Sequence, residues 1–172
     1  GNLFRVLDHG DASPTCCLWF ASFSGVYICY REYYVPGKVI SEHRRAITDL
    51  SSDEKYSGNY ADPSIFRKSA QKDGGWWTTA DEYLTNTIEG PPLTWIAADN
   101  NEFATRNRIN ELLKPGRWQN PSTSEPGPGI YFIKRSTEYP QGCYHAINEL
   151  GSQRRKLLGY FNGKAIYTDD RE

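Results

Sequence analysis

Methionine is absent from the 172 residues, and no apolar run approaches the roughly twenty residues that a membrane span requires. A membrane partner is therefore not expected. No leader is expected either, because Gly1 to Asp8 already reads as a strand with a polar exit. The four cysteines, Cys16, Cys17, Cys29 and Cys143, have neither C-x-x-C spacing nor the pattern of a disulfide framework. They read as free, buried thiols in a reducing compartment, against a redox or zinc role. No Gly-x-x-x-x-Gly-Lys-Ser/Thr loop is present, which excludes an ATP-hydrolysing P-loop motor within these residues. Histidine is scarce (His9, His43 and His145), and no Ser-His-Asp or Cys-His set assembles from it. Nor is there an excess of charge: twenty Lys+Arg against twenty-one Asp+Glu leave a formal net charge of -1. That balance counts mildly against a nucleic-acid binder without excluding one, since acidic metal ligands offset a basic contact face.

What the chain does have is aromatic mass. Five Trp, twelve Tyr and seven Phe supply much of a 38% hydrophobic content, enough for the core of one ordinary domain over residues 1–172. With 24% charged residues, disorder is a poor description. The chain is expected to be soluble and cytoplasmic.

Leu3 to Asp8 reads as a strand ending on an acid, and His9 to Pro14 as a turn. Thr15 to Ser22 and Gly25 to Val35 are β-rich runs joined in a hairpin. After Pro36-Gly37, the spacing of Ile40, His43, Ile47 and Leu50 predicts an amphipathic helix over Val39 to Leu50. Ser57 to Ala61 reads as a strand that must stop at Asp62, because Pro63 cannot continue a central ladder. Lys68 to Trp77 reads as a loop or short irregular helix, and Leu93 to Ala98 as a strand. Helices are predicted over Glu102 to Leu113 and Gly142 to Leu150, a surface loop over Asn120 to Gly129 and a strand over Gly129 to Lys134. Leu157 to Tyr167 is β-like with a turn at Asn162-Gly163. This mixture predicts an α/β fold on a mixed sheet, three antiparallel strands followed by parallel additions, flanked by helices.

The informative residues are Asp8 and Asp62, each closing a predicted strand. The crevice outside strand carboxyl ends is where open α/β sheets bind ligands. Two carboxylates meeting there are costly unless a cation neutralises them. Mg²⁺ or Mn²⁺ would do so through hard oxygen ligands, and two such ions about 3.5–4 Å apart can activate water against a phosphodiester. The bland alternative makes these acids a cap and a solvated turn residue. Asp11, in the same turn as Asp8, is a weaker accessory candidate, and Asp99 reads first as a helix N-cap.

The order strand-Asp8, hairpin, amphipathic helix, then a strand ending in Asp62-Pro63-Ser64 resembles the nuclease domain of tailed-phage terminase large subunits. The later segments follow in the expected order: Ala97-Ala98-Asp99-Asn100-Asn101, the helix through Arg106 and Arg108, Gly129-Ile130-Tyr131-Phe132 and the Cys143 to Leu150 helix. The resemblance implies a ribonuclease H-like fold and two-metal cleavage of concatemeric double-stranded viral DNA during packaging, with Asp8 and Asp62 as metal ligands. It also implies a third acid near the C-terminus. Asp169 or Asp170 could supply it, Asp170 as the catalytic member, or it could lie beyond Glu172. An ATPase motor domain upstream of Gly1, a small terminase subunit and a portal are the implied partners, in host cytoplasm. Rival readings are a resolvase- or transposase-type core, and a catalytically weak module docking on portal or capsid.

Positive charge is clustered at Arg44-Arg45, Lys68 with Lys72, Arg106 with Arg108, Lys134-Arg135 and Arg154-Arg155-Lys156. Arg106, Arg108, Lys134 and Arg135 are the expected DNA-phosphate contacts, set against ordinary solvated faces. Trp76-Trp77 in a polar stretch would either stack on bases or be buried under its loop.

Overall fold

The computed structural model describes residues 1–70, 75–85, 90–116, 118–120, 122–152, 155–161 and 164–171, the last two stretches as a backbone path. Strands β1 (Asn2–Asp8), β2 (Thr15–Phe23) and β3 (Val26–Val35) form an antiparallel meander. The β2–β3 turn places both Ser24 (φ 50°) and Gly25 (φ 80°) at positive φ, the type I′ geometry whose twist suits a hairpin. Helix α1 (Ile40–Ser51) follows, its start held by Glu42 accepting from the Val39 N–H at 3.2 Å. Strand β4 (Gly58–Ala61) then lies parallel to β1 and runs into a single 3-10 turn, Pro63–Phe66.

Beyond it come a short pair, β5 (Ser69–Ala70) and β6 (Trp76–Trp77), and helix α2 (Thr79–Leu84). The sequence pattern offered a loop or irregular helix here; a two-residue ladder leaves too short a period to read. Strand β7 (Ile96–Ala97) is parallel to β4. Helix α3 (Glu102–Leu113) has the bounds its pattern predicts. The proline-rich stretch contributes to a small pair, β8 (Trp118–Gln119) with β9 (Pro126–Gly127), where a plain surface loop was expected. Strand β10 (Ile130–Phe132) returns to pair parallel with β3. Helix α4 (His145–Ser152) runs through Gly151, the residue expected to end it. Strands β11 (Arg155–Phe161) and β12 (Lys164–Arg171) form a two-stranded sheet of their own; the Asn162-Gly163 turn lies outside the described residues.

The main sheet is mixed and six-stranded, ordered β10-β3-β2-β1-β4-β7. Its alternation of side chains separates two cores. Leu7, Cys17, Trp19, Tyr33 and Ala61 pack with Ile47 of α1 and Tyr83 of α2. On the other face Phe4, Val6, Leu18 and Phe20 pack with Cys29, Cys143 and the Ala146 and Ile147 side chains of α4. Helices therefore cover both faces, and three parallel strands, β1, β4 and β7, end side by side.

Candidate functional site

Asp8 and Asp62 meet where the parallel strands β1 and β4 end. Leu7 pairs with Ala61, and the Asp62 N–H donates to the Leu7 carbonyl at 3.0 Å, so the two acids emerge from neighbouring chain ends. Leu7 and Ala61 belong to the α1 face, and period-two alternation sends Asp8 and Asp62 to the α4 face. The two carboxylates do not share their environment. Partial burial, with the charge of Asp62 second, pushes the Asp8 carboxyl above the ordinary aspartate range. Asp62 is held below that range by the side chain and backbone N–H of Ser64, the latter donating to Asp62 Oδ1 at 2.8 Å. The pair thus splits, Asp8 taking a proton first while Asp62 stays ionised. Asp62 also serves as N-cap of the 3-10 turn, so the bland role and the candidate role coincide in one residue.

A third carboxylate contributes that sequence spacing did not single out. Glu149, on α4, adds to the charge that raises Asp8. Its Oε1 accepts from the Tyr34 hydroxyl at 2.8 Å. Tyr34 pairs with Cys16 and Cys16 with Asp8, a row across β3, β2 and β1. The Cys16 thiol in that row is pushed up to about 12, by burial first and then by the charges of Glu32, Asp8 and Glu149. A lone glutamate in a helix carries no sequence signal; only the packing of α4 on β3 brings it to Tyr34.

The other expected residues fall as follows. The Asp11 carboxylate is 97% exposed and lies 3.4 Å from His9 Nε2, engaging His9 rather than the acid pair. His9 turns to the α1 face, where its ring meets His43 and Tyr83 edge to face, as the alternation after Asp8 implies. Asp169 and Asp170 are on β12, in the separate two-stranded sheet, and their side chains lie outside the described residues. Asp99 follows β7 at the same end of the sheet and accepts from the Asn101 N–H at 3.0 Å. The α3 N-cap is Asn101, not Asp99, its side chain accepting from the Ala104 N–H at 3.0 Å. The N-cap role moved two residues because the chain makes a turn between strand and helix.

Arg106 and Arg108 are on α3; Arg108 is exposed and Arg106 partly so. The far half of α3, through Ile109 and Leu113, borders a groove of about 240 Å³ together with Cys16, Tyr34 and Glu149. That puts the helix on the face where the acids emerge. Lys134 is exposed, its backbone bridged to Cys143. Arg135 is committed internally, 3.4 Å from Glu32 Oε1 and donating from Nε to the Gly142 carbonyl. Trp76 is 66% exposed, so it is not buried under its loop.

Among the described residues no three His, Cys, Asp or Glu side chains gather closely enough to hold a metal ion, and no helix is long and apolar enough to cross a membrane. The donor chemistry at the strand ends still fits a hard divalent ion. Two carboxylates, which are hard oxygen donors, meet there, and the charge of Asp62 adds to the burial that raises Asp8.

No protein-family model matches the chain, and no curated protein matches it. Among solved structures it is similar to the large terminase of a thermophilic bacteriophage in complex with ATP-gamma-S. The alignment covers 98% of this chain and 36% of that one, with 15% identity and a TM-score of 0.56. Another crystal form of that terminase aligns over 63% of this chain and 25% of its own, with 16% identity and a TM-score of 0.48. The fold is ribonuclease H-like. At such identity the likeness is one of fold, and the chain spans about a third of the length of the terminase it matches.

Proposed function

We propose that this chain is the nuclease domain of a tailed-phage terminase large subunit, a divalent-metal-dependent endonuclease that cuts concatemeric double-stranded DNA during genome packaging. The observation that carries the reading is the meeting of Asp8 and Asp62 at the carboxyl ends of adjacent parallel strands, with Glu149 adding its charge from α4. Similarity in fold to a large terminase over 98% of the chain supports it.

In this reading Asp8 and Asp62 hold Mg²⁺ or Mn²⁺, while Asp169 and Asp170 keep the third-acid candidacy that sequence order gives them. When bound, a pair of such ions would polarise a phosphodiester oxygen and lower the pKa of a coordinated water. The protein's own part is to keep the acids fixed and ionised. Asp62 is already held as the anion by Ser64, and Asp8 gives up its proton more readily once its repulsion from Asp62 is offset. Arg106, Arg108 and Lys134 are the cationic side chains proposed to hold DNA phosphates, with Arg135 contributing only what Glu32 leaves it. An ATPase motor domain, a small terminase subunit and a portal would be the partners, in host cytoplasm.

A competing reading, a catalytically weak module docking on portal or capsid, draws on the absence of a three-ligand cluster among the described residues. Plasmid nicking by the purified chain in Mn²⁺ decides between them. Nicking that is lost in both Asp8→Asn and Asp62→Asn supports the nuclease. No nicking by the wild-type chain, or nicking retained in either variant, removes this site assignment. Comparing branched with linear DNA then separates a terminase from a resolvase-type core.

A further inference from the structure

Cys29 and Cys143 are 114 residues apart in the chain, and spacing alone offers neither a partner. The fold brings their sulfurs to 3.4 Å, with both side chains completely buried. Cys29 lies on β3, and Cys143 lies just before α4. Backbone hydrogen bonds run between them through Ile133. The Cys143 N–H donates to the Ile133 carbonyl at 2.7 Å, and the Ile133 N–H donates to the Cys29 carbonyl at 2.8 Å. The Cys143 thiol also reaches the Cys29 carbonyl at 3.6 Å, and the Cys29 thiol donates to the Arg31 carbonyl at 3.8 Å. A disulfide holds its sulfurs about 2 Å apart, so these two must approach by about 1.4 Å to bond.

Nothing around the pair favours a thiolate while the fold is closed. Phe4, Phe132, Ala146 and Ile147 pack on the same cluster. The hydrogen bond from Cys143, with burial second, holds the Cys29 thiol well above its ordinary range. Buried thiols of this kind are inert, so reaction requires the entry of α4 to lift. That entry is the weakly packed end of the molecule. No residue of α4 is fully buried, and its first N–H groups hang on the single carboxylate of Glu32.

We propose that Cys29 and Cys143 are a redox-sensitive latch, a dithiol under reducing conditions and a disulfide that locks the start of α4 onto β3 when a low-molecular-weight disulfide accumulates. When α4 lifts, Cys143 gives its proton to water and its sulfur attacks the small disulfide. One half leaves as a thiolate and takes up a proton, and the other half stays on Cys143 as a mixed disulfide. As the helix recloses, Cys29 loses its proton, bonds to the Cys143 sulfur and expels that half as a second thiol. Two protein thiols are thus oxidised and one small disulfide is reduced to two thiols.

The test equilibrates the purified 172-residue chain with reduced and oxidised glutathione over a range of ratios. It starts once from the dithiol and once from protein refolded under oxidant, so that slow closure is not read as none. Remaining thiols are alkylated, linked peptides are mapped by mass spectrometry, and melting temperature and amide exchange are followed in parallel. Two of the four thiols should disappear into one linkage between Cys29 and Cys143. The melting temperature should rise by about 10 °C, because the bond closes a very long loop. Exchange at Tyr144, His145 and Ala146 should slow. Cys16→Ala should leave all of this unchanged, and Cys143→Ala should abolish both the linkage and the rise. Four free thiols at the most oxidising ratio from both starting points would overturn the proposal. So would glutathione adducts without the linkage, or a linkage through Cys16 or Cys17. A Cys29–Cys143 bond that leaves exchange at the α4 start unchanged would overturn the latch.

Discussion

At the scale of single residues, the two acids differ in what they do to the empty protein, although both are proposed to bind metal. The raised Asp8 pKa means that its ionised form is disfavoured in the fold; the cost is present above that pKa and vanishes in acid, where Asp8 is protonated folded or not. Asp62 has the opposite sign: its lowered pKa stabilises the fold above the unfolded value near 3.8, and that support is lost as pH falls through the folded value. At neutral pH without metal, Asp8→Asn should therefore raise the melting temperature and Asp62→Asn should lower it. Both should cut DNA cleavage by about a hundredfold or more, above the scale felt when only an outer-shell metal partner is removed. Thermal melts in chelator, beside nicking assays in Mn²⁺, check both halves. A second residue-scale expectation concerns Glu54. Burial works to raise its pKa, but hydrogen bonds from Arg31, Tyr56 and Tyr30 outweigh it and the net shift is down from 4.5. Glu54→Gln should cost about 1.5–3 kcal/mol at pH 7, the worth of hydrogen bonds to a charged group. The loss should shrink as pH falls below 4.5 and close once the lowered folded pKa is passed; denaturant melts from pH 7 to 3 would show whether the curves merge.

At the scale of elements, α1 and α4 are held in different ways. Helix α1 is a packing element: Ile47 is completely buried among Trp19, Tyr33 and Tyr83, and His43 Nδ1 shares a hydrogen bond with the Tyr33 hydroxyl at 2.8 Å. Ile47→Ala should cost about 2–5 kcal/mol through lost transfer energy and a residual cavity, measured as a fall in the denaturation midpoint at unchanged slope. Helix α4 buries far less apolar surface, and no residue of it is fully buried. Its attachment is electrostatic, through Glu32. Glu32→Ala should cost about 3 kcal/mol or more, since it strands three helix donors and the Arg135 charge together. Amide exchange should then rise at Tyr144, His145 and Ala146 before it rises in α1; uniform exchange along α4 in the wild type would contradict this division. The pattern of β3 held a clue here, for Arg31 and Glu32 are adjacent charges inside a largely aromatic and aliphatic strand.

At the scale of the whole molecule, a chain with net charge -1 must hold DNA by where its cations are rather than by their excess. Helix α3 lies on the face where the acids emerge, and Arg108 on it is exposed. Removing both charges by Arg106→Ala with Arg108→Ala should weaken duplex binding equally on any sequence and flatten the logarithmic salt dependence by about 0.9 per lost contact. Asp8→Asn should stop cutting without weakening binding. Affinity for a short duplex over a salt series measures this, and an unchanged slope would return the cluster to an ordinary solvated face.

The sequence by itself determined the local frame: strand and helix periods, the break at Pro36-Gly37, the Asp62-Pro63 strand end, and hence two acids at strand termini. These are decided by neighbours a few residues apart, through alternation, helical spacing and the missing proline N–H. Tertiary structure alone decided that Asp8 and Asp62 sit side by side, because parallel pairing of β1 with β4 joins residues more than fifty apart. It also decided that Arg135 answers Glu32, and that Glu149 accepts from Tyr34 across α4 and β3. Tyr34 and Glu149 are 115 residues apart, and Glu32 and Ala146 are 114 apart. No periodicity spans such distances; the burial of a carboxylate against a helix start does.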